Sequence, residues 1–395
     1  MDDVLVLGAG PAGNNTALQL SRRGYRVTVV DRRQVIGDKL CTGIVSVECL
    51  RQFPADESQV IQEAKSADVY SPSGASLRMA REQPQAYVLN RVAYVQSFAD
   101  RARAAGAAYL LGHTVQSLAV DADGVSAVVA NGRGPQVLRA KAAVVASGFG
   151  AGLTNMVGLG QVSDHVTGFQ AEVSVQAIDR IEVYVGRKYA PGFFAWLVPT
   201  SPGRALLGLL ARRKGDELLQ QLLAKLQDEG KVTGIVKQPK RWGIPMKTLD
   251  QAFRDRVLVV GDAAGQVKPA TGGGIYYSLL SSEIAAETLD RAIQAGDLSA
   301  SALSAYEREW RGLLGDELET GYNARRLFEL LGDRQIDYLL KALSSDAVLA
   351  AIWESPSVSF DWHGVLIRQV LRMPMVHKAL KTFGVLVPKA LRRAD

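Results

Sequence analysis

One short glycine-rich stretch limits what this chain can become. Val4-Leu5-Val6-Leu7 is an apolar run of the kind that forms a buried parallel strand, and Gly8-Ala9-Gly10-Pro11-Ala12-Gly13 follows it without a spacer. A helical pattern then runs through Arg23, Gly24 stops it, and Val27-Thr28-Val29-Val30 makes a second strand that closes on Asp31. In such a βαβ opening the first glycine permits the tight turn, the second lets a pyrophosphate approach the backbone, and the third lets helix pack closely on strand. The helix N-terminus then faces phosphate charge. Asp31 falls where a carboxylate accepts hydrogen bonds from ribose hydroxyls. The stretch predicts dinucleotide binding through Gly8, Gly10, Ala12, Gly13 and Asp31. A glycine turn without a ligand is the weaker alternative, since strand, helix and acid would then coincide by chance.

A related arrangement recurs two thirds along the chain. Arg256-Val257-Leu258-Val259-Val260 reads as a strand and runs into Gly261-Asp262-Ala263-Ala264-Gly265, then Thr271-Gly272-Gly273-Gly274-Ile275 and a long helix through about Ala295. A nicotinamide cofactor that leaves after each turnover has no need of a second glycine turn ending in Gly-Asp. A flavin that stays bound does. The Asp262 carboxylate suits a ribityl hydroxyl, and the backbone N–H groups of Gly273, Gly274 and Ile275 suit a pyrophosphate or the N1/C2 edge of a reduced flavin. Together the two segments predict bound FAD.

Between and beyond them the pattern changes twice. Asn90 can cap a helix from Arg91 to about Ala105, and Val115 to Ala146 reads as strands turning at Asp123-Gly124 and Asn131-Gly132, before another glycine turn at Ser147-Gly148-Phe149-Gly150. Strand patterns at 168–176, 180–185, 193–198 and 205–210 suggest a second, largely antiparallel sheet. From Ser299 the pattern is helical, with Tyr306, Trp310, Leu313 and Leu314 on helix faces. The fold expected is α/β (α+β): a Rossmann-like FAD-binding domain with an inserted β-meander (1–160 and 246–298), an antiparallel-sheet substrate domain (161–245) and a helical C-terminal region (299–395). At 395 residues and 47% hydrophobic, the chain can bury cores for all of it.

Composition narrows the partners. Cys41 and Cys49 are too few for a disulfide framework, and the four histidines (His113, His165, His363, His377) share no spacing, so no metal site is expected. A reducing cytoplasm, no signal peptide and no spanning helix are the matching expectations. Of the net charge of +6, +5 lies in residues 361–395, from Arg368, Arg372, Lys378, Lys381, Lys389, Arg392 and Arg393 against two aspartates. Interleaved with Val365, Leu366, Ile367, Val370, Leu371, Phe383, Val385 and Leu386, these cations suit peripheral contact with an anionic membrane; a packed terminal helix is the competing reading. Nucleic acid is not expected, because no base-stacking array accompanies the cations.

The residues also carry a family likeness. Gly8 to Gly13, Asp31, Arg91, Gly261 to Gly265, Pro269 and Thr271 to Ile275 resemble the p-hydroxybenzoate-hydroxylase-type flavoproteins. Asp38-Lys39-Leu40-Cys41-Thr42-Gly43 and Ala190-Pro191-Gly192-Phe193-Phe194-Ala195-Trp196-Leu197-Val198-Pro199 narrow the likeness to the geranylgeranyl reductase family, of the archaeal digeranylgeranylglycerophospholipid reductase-like kind. Phe194, Val198 and Thr200 stand where that family usually has tyrosine, phenylalanine and lysine, and Gly208-Leu209-Leu210 half matches its Gly-x-Gly.

The resemblance implies reduction of isolated C=C bonds in an isoprenoid chain of a lipid, chlorophyll precursor or quinone by reduced FAD, with NADPH or ferredoxin as electron donor. It adds Arg32, Cys41, Thr42, Gly43, Arg91, Val115 and Gly148 to a flavin-binding set that already holds Gly272. Such a reaction needs a dry, apolar pocket, a hydride to one carbon and a proton to the other. Cys41, Phe194 and Trp196 are the catalytic candidates: a thiol can donate a proton, and π faces favour the positive charge that develops. Alternation along a strand sends Phe194 and Trp196 to one face and Phe193 to the other. Plain core packing is the alternative for the aromatics, a buried structural cysteine for Cys41, and ordinary helix packing is expected of Cys49. A flavin monooxygenase is the competing activity, disfavoured because Ser147-Gly148 occupies the place of that class's Asp-Gly.

Overall fold

The computed structural model describes residues 1–176, 178–344, 359–382, 387–388 and 391. Strand β1 (Asp2–Leu7), helix α1 (Pro11–Arg22) and β2 (Val27–Asp31) open the chain. Residues 40–89 supply β3 (Ile44–Ser46), α2 (Val47–Gln52), β4 (Val60–Ala64), β5 (Ser66–Tyr70), β6 (Ser76–Ala80) and β7 (Ala86–Leu89). Helix α3 (Arg91–Ala104), capped by the Asn90 side chain, leads to β8 (Ala108–Leu111), the meander β9 (Thr114–Val120), β10 (Val125–Asn131) and β11 (Gly134–Val145), and α4 (Leu153–Met156). Then come β12 (His165–Val175), β13 (Ile181–Val185), β14 (Phe194–Ser201), β15 (Arg204–Ala211), α5 (Gly215–Asp228) and β16 (Val232–Pro245). The chain continues with β17 (Phe253–Arg254), β18 (Val257–Val259), α6 (Ile275–Gln294), α7 (Ala300–Glu329) and α8 (Asp333–Leu343), and helices follow at Gly364–Arg372 and Pro374–Thr382.

Contacts gather these elements into two compact units. The first holds Met1–Lys39, Asn90–His165 and Ile244–Leu318. Its sheet runs β17-β18-β11-β1-β2-β8, with β10 beside β11 and β9 beside β10; β18, β11, β1, β2 and β8 are parallel. Val4, Leu5, Val6 and Ala142 to Val145 are wholly buried, which is why both strands read as unbroken apolar runs. This order decides where a ligand can go. β1, β11 and β18 are neighbours, and their C-terminal ends lead into Gly8, Ser147-Gly148 and Gly261. Ligands of open parallel sheets bind off that edge.

The second unit holds Leu40–Leu89, Val166–Gly243 and the described residues from Glu319 onward. Its large sheet runs β16-β12-β15-β14-β13-β5-β6, and a small sheet runs β3-β7-β4. These lines differ from the three-part division expected above. Residues 40–89 group with the second sheet, because β5 lies parallel to β13, pairing Ala67 with Ile181 and Tyr70 with Tyr184. The Tyr70 and Tyr184 rings stack at 4.9 Å, and Lys231 bonds Glu182 at 2.9 Å beside them. No local periodicity encodes such a pairing across the sequence. The chain from Glu319 likewise groups with this unit, and Val185 of β13 packs against its core of Leu327, Leu331, Ile336, Val376, Leu380 and Leu391.

On α7, Tyr306, Trp310 and Leu314 are wholly buried while Leu313 is 46% exposed. One residue is a 100° step around a helix, enough to carry Leu313 off the apolar stripe. Cys49 is buried within α2, as packing requires. No helix among the described residues is long and apolar enough to cross a membrane.

Candidate active site

The first unit presents two helix starts without caps. α1 begins after Gly10 and α6 after Gly274, and neither has a side-chain cap or an acidic residue in its first turn. Helix starts of this kind suit an outside anion. At the end of β2, Asp31 accepts the Ala9 N–H through Oδ2 and the Arg33 N–H through Oδ1, each at 2.8 Å. Both carboxylate oxygens keep lone pairs for another donor. Arg32 beside it is exposed, and Val115 is half-buried on β9 opposite Val129.

The second glycine segment lies against the first. A Cβ placed on Gly261 would stand 3.3 Å from the Ala12 Cβ, and Asn15 on α1 donates to Ser282 Oγ on α6 at 2.9 Å. Gln266 braces the turn: its Oε1 accepts the Gly261 N–H at 2.7 Å, its Nε2 donates to Tyr306 Oη at 2.8 Å, and Tyr306 donates to the Val259 carbonyl at 2.8 Å. Burial drives the Tyr306 hydroxyl pKa far upward, so it stays a neutral donor. After Asp262 the chain closes on itself, Gly272 N–H to Lys268 O at 2.8 Å around Pro269.

Three turns converge on a residue that sequence reasoning did not single out. Lys39 forms an ion pair with Asp262 Oδ2, and its Nζ stands 3.9 Å from a Cβ placed on Gly148. Arg91 is buried, and its Nη1 donates to the carbonyls of Gly37 and, at 2.7 Å, Lys39. It shapes the loop that carries Lys39, while its Nε is buried with no partner among the described residues. A Cβ on Gly10 would meet nothing within 4 Å. Open space ahead of Gly10, two uncapped helix starts and an orphaned buried guanidinium N–H all fit FAD. No group of three or more His, Cys, Asp or Glu among the described residues is placed to hold a metal ion.

In the second unit a string of contacts joins the Cys41 loop to the aromatic strand. Thr42 Oγ1 donates to Gln170 Oε1 at 3.1 Å, the Gly43 N–H points to Cys41 Sγ at 3.4 Å, and the Gly43 carbonyl accepts the Leu89 N–H at 2.9 Å. Gln170, buried on β12, pairs with Gly208 on β15, which pairs with Trp196 on β14. Directly opposed residues share a face, so Gln170 and Trp196 flank Gly208 on one side of the sheet. The indole lies over the glycine: a Cβ there would be 2.5 Å from Trp196 Cζ2. Trp196 Nε1 is buried without a partner among the described residues, and the half-buried Phe194 ring stands 5.8 Å from the indole.

Phe193 departs from the strand alternation expected of it. It precedes β14, in a turn closed by its N–H to the Ala190 carbonyl at 2.9 Å, and is wholly buried. Its neighbour is Arg325 on α7, whose guanidinium carbon lies 5.0 Å from the Phe193 ring centre, 5.9 Å from Phe194 and 5.6 Å from Phe328, and whose Nη1 donates to Gly192 O at 3.0 Å. Burial lowers the Arg325 pKa to about 10. Nothing in the sequence marks this residue, because its role exists only once α7 packs against the strand. Arg325→Met is expected to cost about 2–4 kcal/mol, from lost cation–π contacts and an unsatisfied carbonyl. Urea unfolding measures it, and a loss under about 0.5 kcal/mol, the level of a neutral surface change, would contradict the packing role.

The basic tail is partly spent inside the fold. Arg368 is buried and donates to Thr320 Oγ1 at 3.0 Å. Val365, Leu366, Ile367, Val370 and Leu371 are half-buried, the last three against the core named above. Arg372, Lys378 and Lys381 are exposed. Phe383, Val385, Leu386, Lys389, Arg392 and Arg393 lie outside the described residues.

A parallel sheet with glycine turns at its carboxyl edge and two phosphate-ready helix starts defines a dinucleotide-binding flavoprotein, and residues 1–313 match the family described as FAD binding domain. The chain is 32% identical over 356 residues to digeranylgeranylglycerophospholipid reductase 2 of Methanothermobacter thermautotrophicus, covering 86% of this chain and 91% of that protein. It is 30% identical over 362 residues to digeranylgeranylglycerophospholipid reductase of Methanosarcina acetivorans, covering 86% and 88%. Among solved structures, a geranylgeranyl bacteriochlorophyll reductase-like protein from Thermoplasma acidophilum superposes with a TM-score of 0.85 at 23% identity, covering 97% of this chain and 98% of that one. The chain belongs to the FAD-binding domain family and, within it, to the geranylgeranyl reductases. It is an FAD-dependent oxidoreductase.

Proposed function

We propose that this enzyme saturates isolated C=C bonds in the geranylgeranyl chains of a membrane lipid. The observation that carries the reading is the string Thr42–Gln170–Gly208–Trp196, which ties the loop holding Cys41 to the sheet face that carries the aromatic wall. The relatives' printed names, digeranylgeranylglycerophospholipid reductases, support the choice of substrate. Gly8, Gly10, Ala12, Gly13, Asp31, Arg91, Gly148 and Asp262, with the turn Gly272 to Ile275, hold the cofactor in this reading, and Lys39 joins them. Bound FAD, once reduced, supplies the electron pair and one hydrogen.

The chain's own residues do the rest. Trp196 and Phe194 line an apolar wall that keeps water away and whose π faces stabilise cationic character on the alkene carbon. Cys41 delivers the proton to the other alkene carbon, whose π electrons form the new C–H bond; the cationic carbon left beside it takes the hydrogen and the electron pair, and the Cys41 sulfur keeps the S–H bonding pair until a proton returns from solvent. One C=C becomes one CH–CH, with two hydrogens gained. The exposed cations Arg372, Lys378 and Lys381 favour docking on anionic headgroups.

The test is anaerobic incubation of dithionite-reduced enzyme with a digeranylgeranyl phospholipid, followed by mass spectrometry. Lipids gaining hydrogen in pairs are expected, and no gain on any prenyl lipid would sink the proposal. Cys41→Ala is expected to lower turnover about 10²-fold, the usual worth of a positioned proton donor, with FAD content unchanged. Undiminished turnover would assign the proton to another group.

A further inference from the structure

Two tryptophans stand on glycines along one face of the large sheet in the second unit, and only one of them belongs to the aromatic wall described above. The Trp196 indole lies over Gly208, and a Cβ placed on Gly168 would be 2.7 Å from Trp242 Cζ2. Gln170 pairs with Gly208 and lies two residues along β12 from Gly168, with no shift of register between them, so Gly168, Gln170 and Gly208 turn to the same side of the sheet. Trp196 and Trp242 therefore share a face. Phe169, between Gly168 and Gln170, turns to the opposite side, where a Cβ on Gly215 at the start of α5 would collide with its ring.

The outer tryptophan sits at a sheet edge. β16, which carries Trp242, ends the strand order beside β12. From Ile235 to Arg241 every residue of it is exposed, Ile235 by 40% and Val236 by 36%, while Trp242 is half-buried. Lysine and proline on an edge strand discourage pairing with a further chain, and Lys237 and Pro239 fit that role. They leave the rest unexplained. Lys237 pairs with Glu172 at 2.7 Å, whereas the Lys240 and Arg241 side chains make no ion pair or hydrogen bond among the described residues. Two unneutralised cations next to an indole and two exposed aliphatic side chains complement a molecule with an anionic head and an apolar chain. Resting on the prenyl-reductase reading, we infer that β16 is where the lipid substrate enters the second unit: Lys240 and Arg241 hold the phosphate of its headgroup, and the prenyl chain runs over Trp242 toward Gln170 and Trp196. The phosphate stays at the solvated edge and contributes affinity without entering the dry wall, where its charge would be costly.

The experiment reads binding without turnover. Oxidised, FAD-loaded protein is titrated in micelles of an uncharged detergent with digeranylgeranylglyceryl phosphate and with digeranylgeranylglycerol, which lacks the phosphate. Wild type is expected to bind the phosphate lipid about tenfold or more tightly, a preference that shrinks with added salt. The double variant Lys240→Ala/Arg241→Ala is expected to lose the preference, and the charge-conserving Lys240→Arg/Arg241→Lys to keep it. Trp242→Ala is expected to weaken both lipids by the same factor, about tenfold, with Trp242→Phe restoring part of the loss. Absence of a preference in wild type, its survival in the double alanine variant, or equal weakening of both lipids there would overturn the phosphate site; unaltered binding by Trp242→Ala would overturn the path. The reduction assay separates the two readings. A protein that reduces the phospholipid yet keeps its preference in the double alanine variant refutes this inference alone, and one that neither binds nor reduces either lipid refutes both.

Discussion

Gly13→Val is expected to purify without flavin. A Cβ on Gly13 would collide with the Gly8 carbonyl oxygen and stand 3.1 Å from the Ala146 Cβ, at the point where α1 crosses β1 and β11. Both obstacles belong to the rigid part of the sheet, so the helix must move instead. Shifting α1 displaces the Gly10 start and strains the Asn15–Ser282 bond that holds α6. Overpacking a core by a few methylenes costs about 1–3 kcal/mol, and a backbone collision lies at the upper end of that range or above it. Flavin absorbance per mole of protein and thermal unfolding measure the two consequences. A Gly13→Val protein with full FAD occupancy would contradict the placement of the cofactor over α1.

Gly208→Ala is expected to leave FAD bound and to lower turnover about 10²-fold. The new methyl would meet Trp196 Cζ2 at 2.5 Å and the Phe169 carbonyl oxygen at 2.6 Å. The carbonyl is part of the β12 ladder and cannot yield, so the indole must swing away from Gly208. A displacement of about 1 Å in a positioning group commonly costs about 10²-fold in rate. Prenyl reduction assayed beside FAD content and thermal stability distinguishes this from unfolding. Unchanged turnover would remove Trp196 from the pocket wall.

How much of this was legible varied with distance along the chain. The βαβ opening was, because strand, turn, helix and Asp31 all lie within one local unit; the observed bounds Asp2–Leu7, Pro11–Arg22 and Val27–Asp31 follow the pattern closely. So were the meander and, in the second sheet, β12 to β15, of which β14 and β15 pair as a sequential hairpin; β16 (Val232–Pro245) was not. Residues 40–89 were not legible as part of that sheet, since β5 finds β13 through a parallel register that leaves no local trace. Phe193 looked like a strand residue because the apolar run does not mark where β14 begins.

The candidate site divides the same way. Gly8, Gly10, Gly13, Asp31 and Asp262 stand out because their types are demanded by backbone and ligand geometry at fixed spacing. Lys39 and Lys268 sit inside the recognised motifs yet do not stand out, since a lysine in a loop is ordinarily solvated; only the packing buries Lys268 and pairs Lys39 with Asp262. Gln170 and Arg325 carry no signal at all. By itself the sequence determined the cofactor class and the local units that grip it, because hydrophobic period and glycine spacing act over a few residues. Only the tertiary structure decided that Gly8 and Gly261 end neighbouring parts of one sheet edge, that Thr42 reaches Gln170, and which cations are buried. Those outcomes depend on burial and register between distant segments, which the order of residues alone does not display.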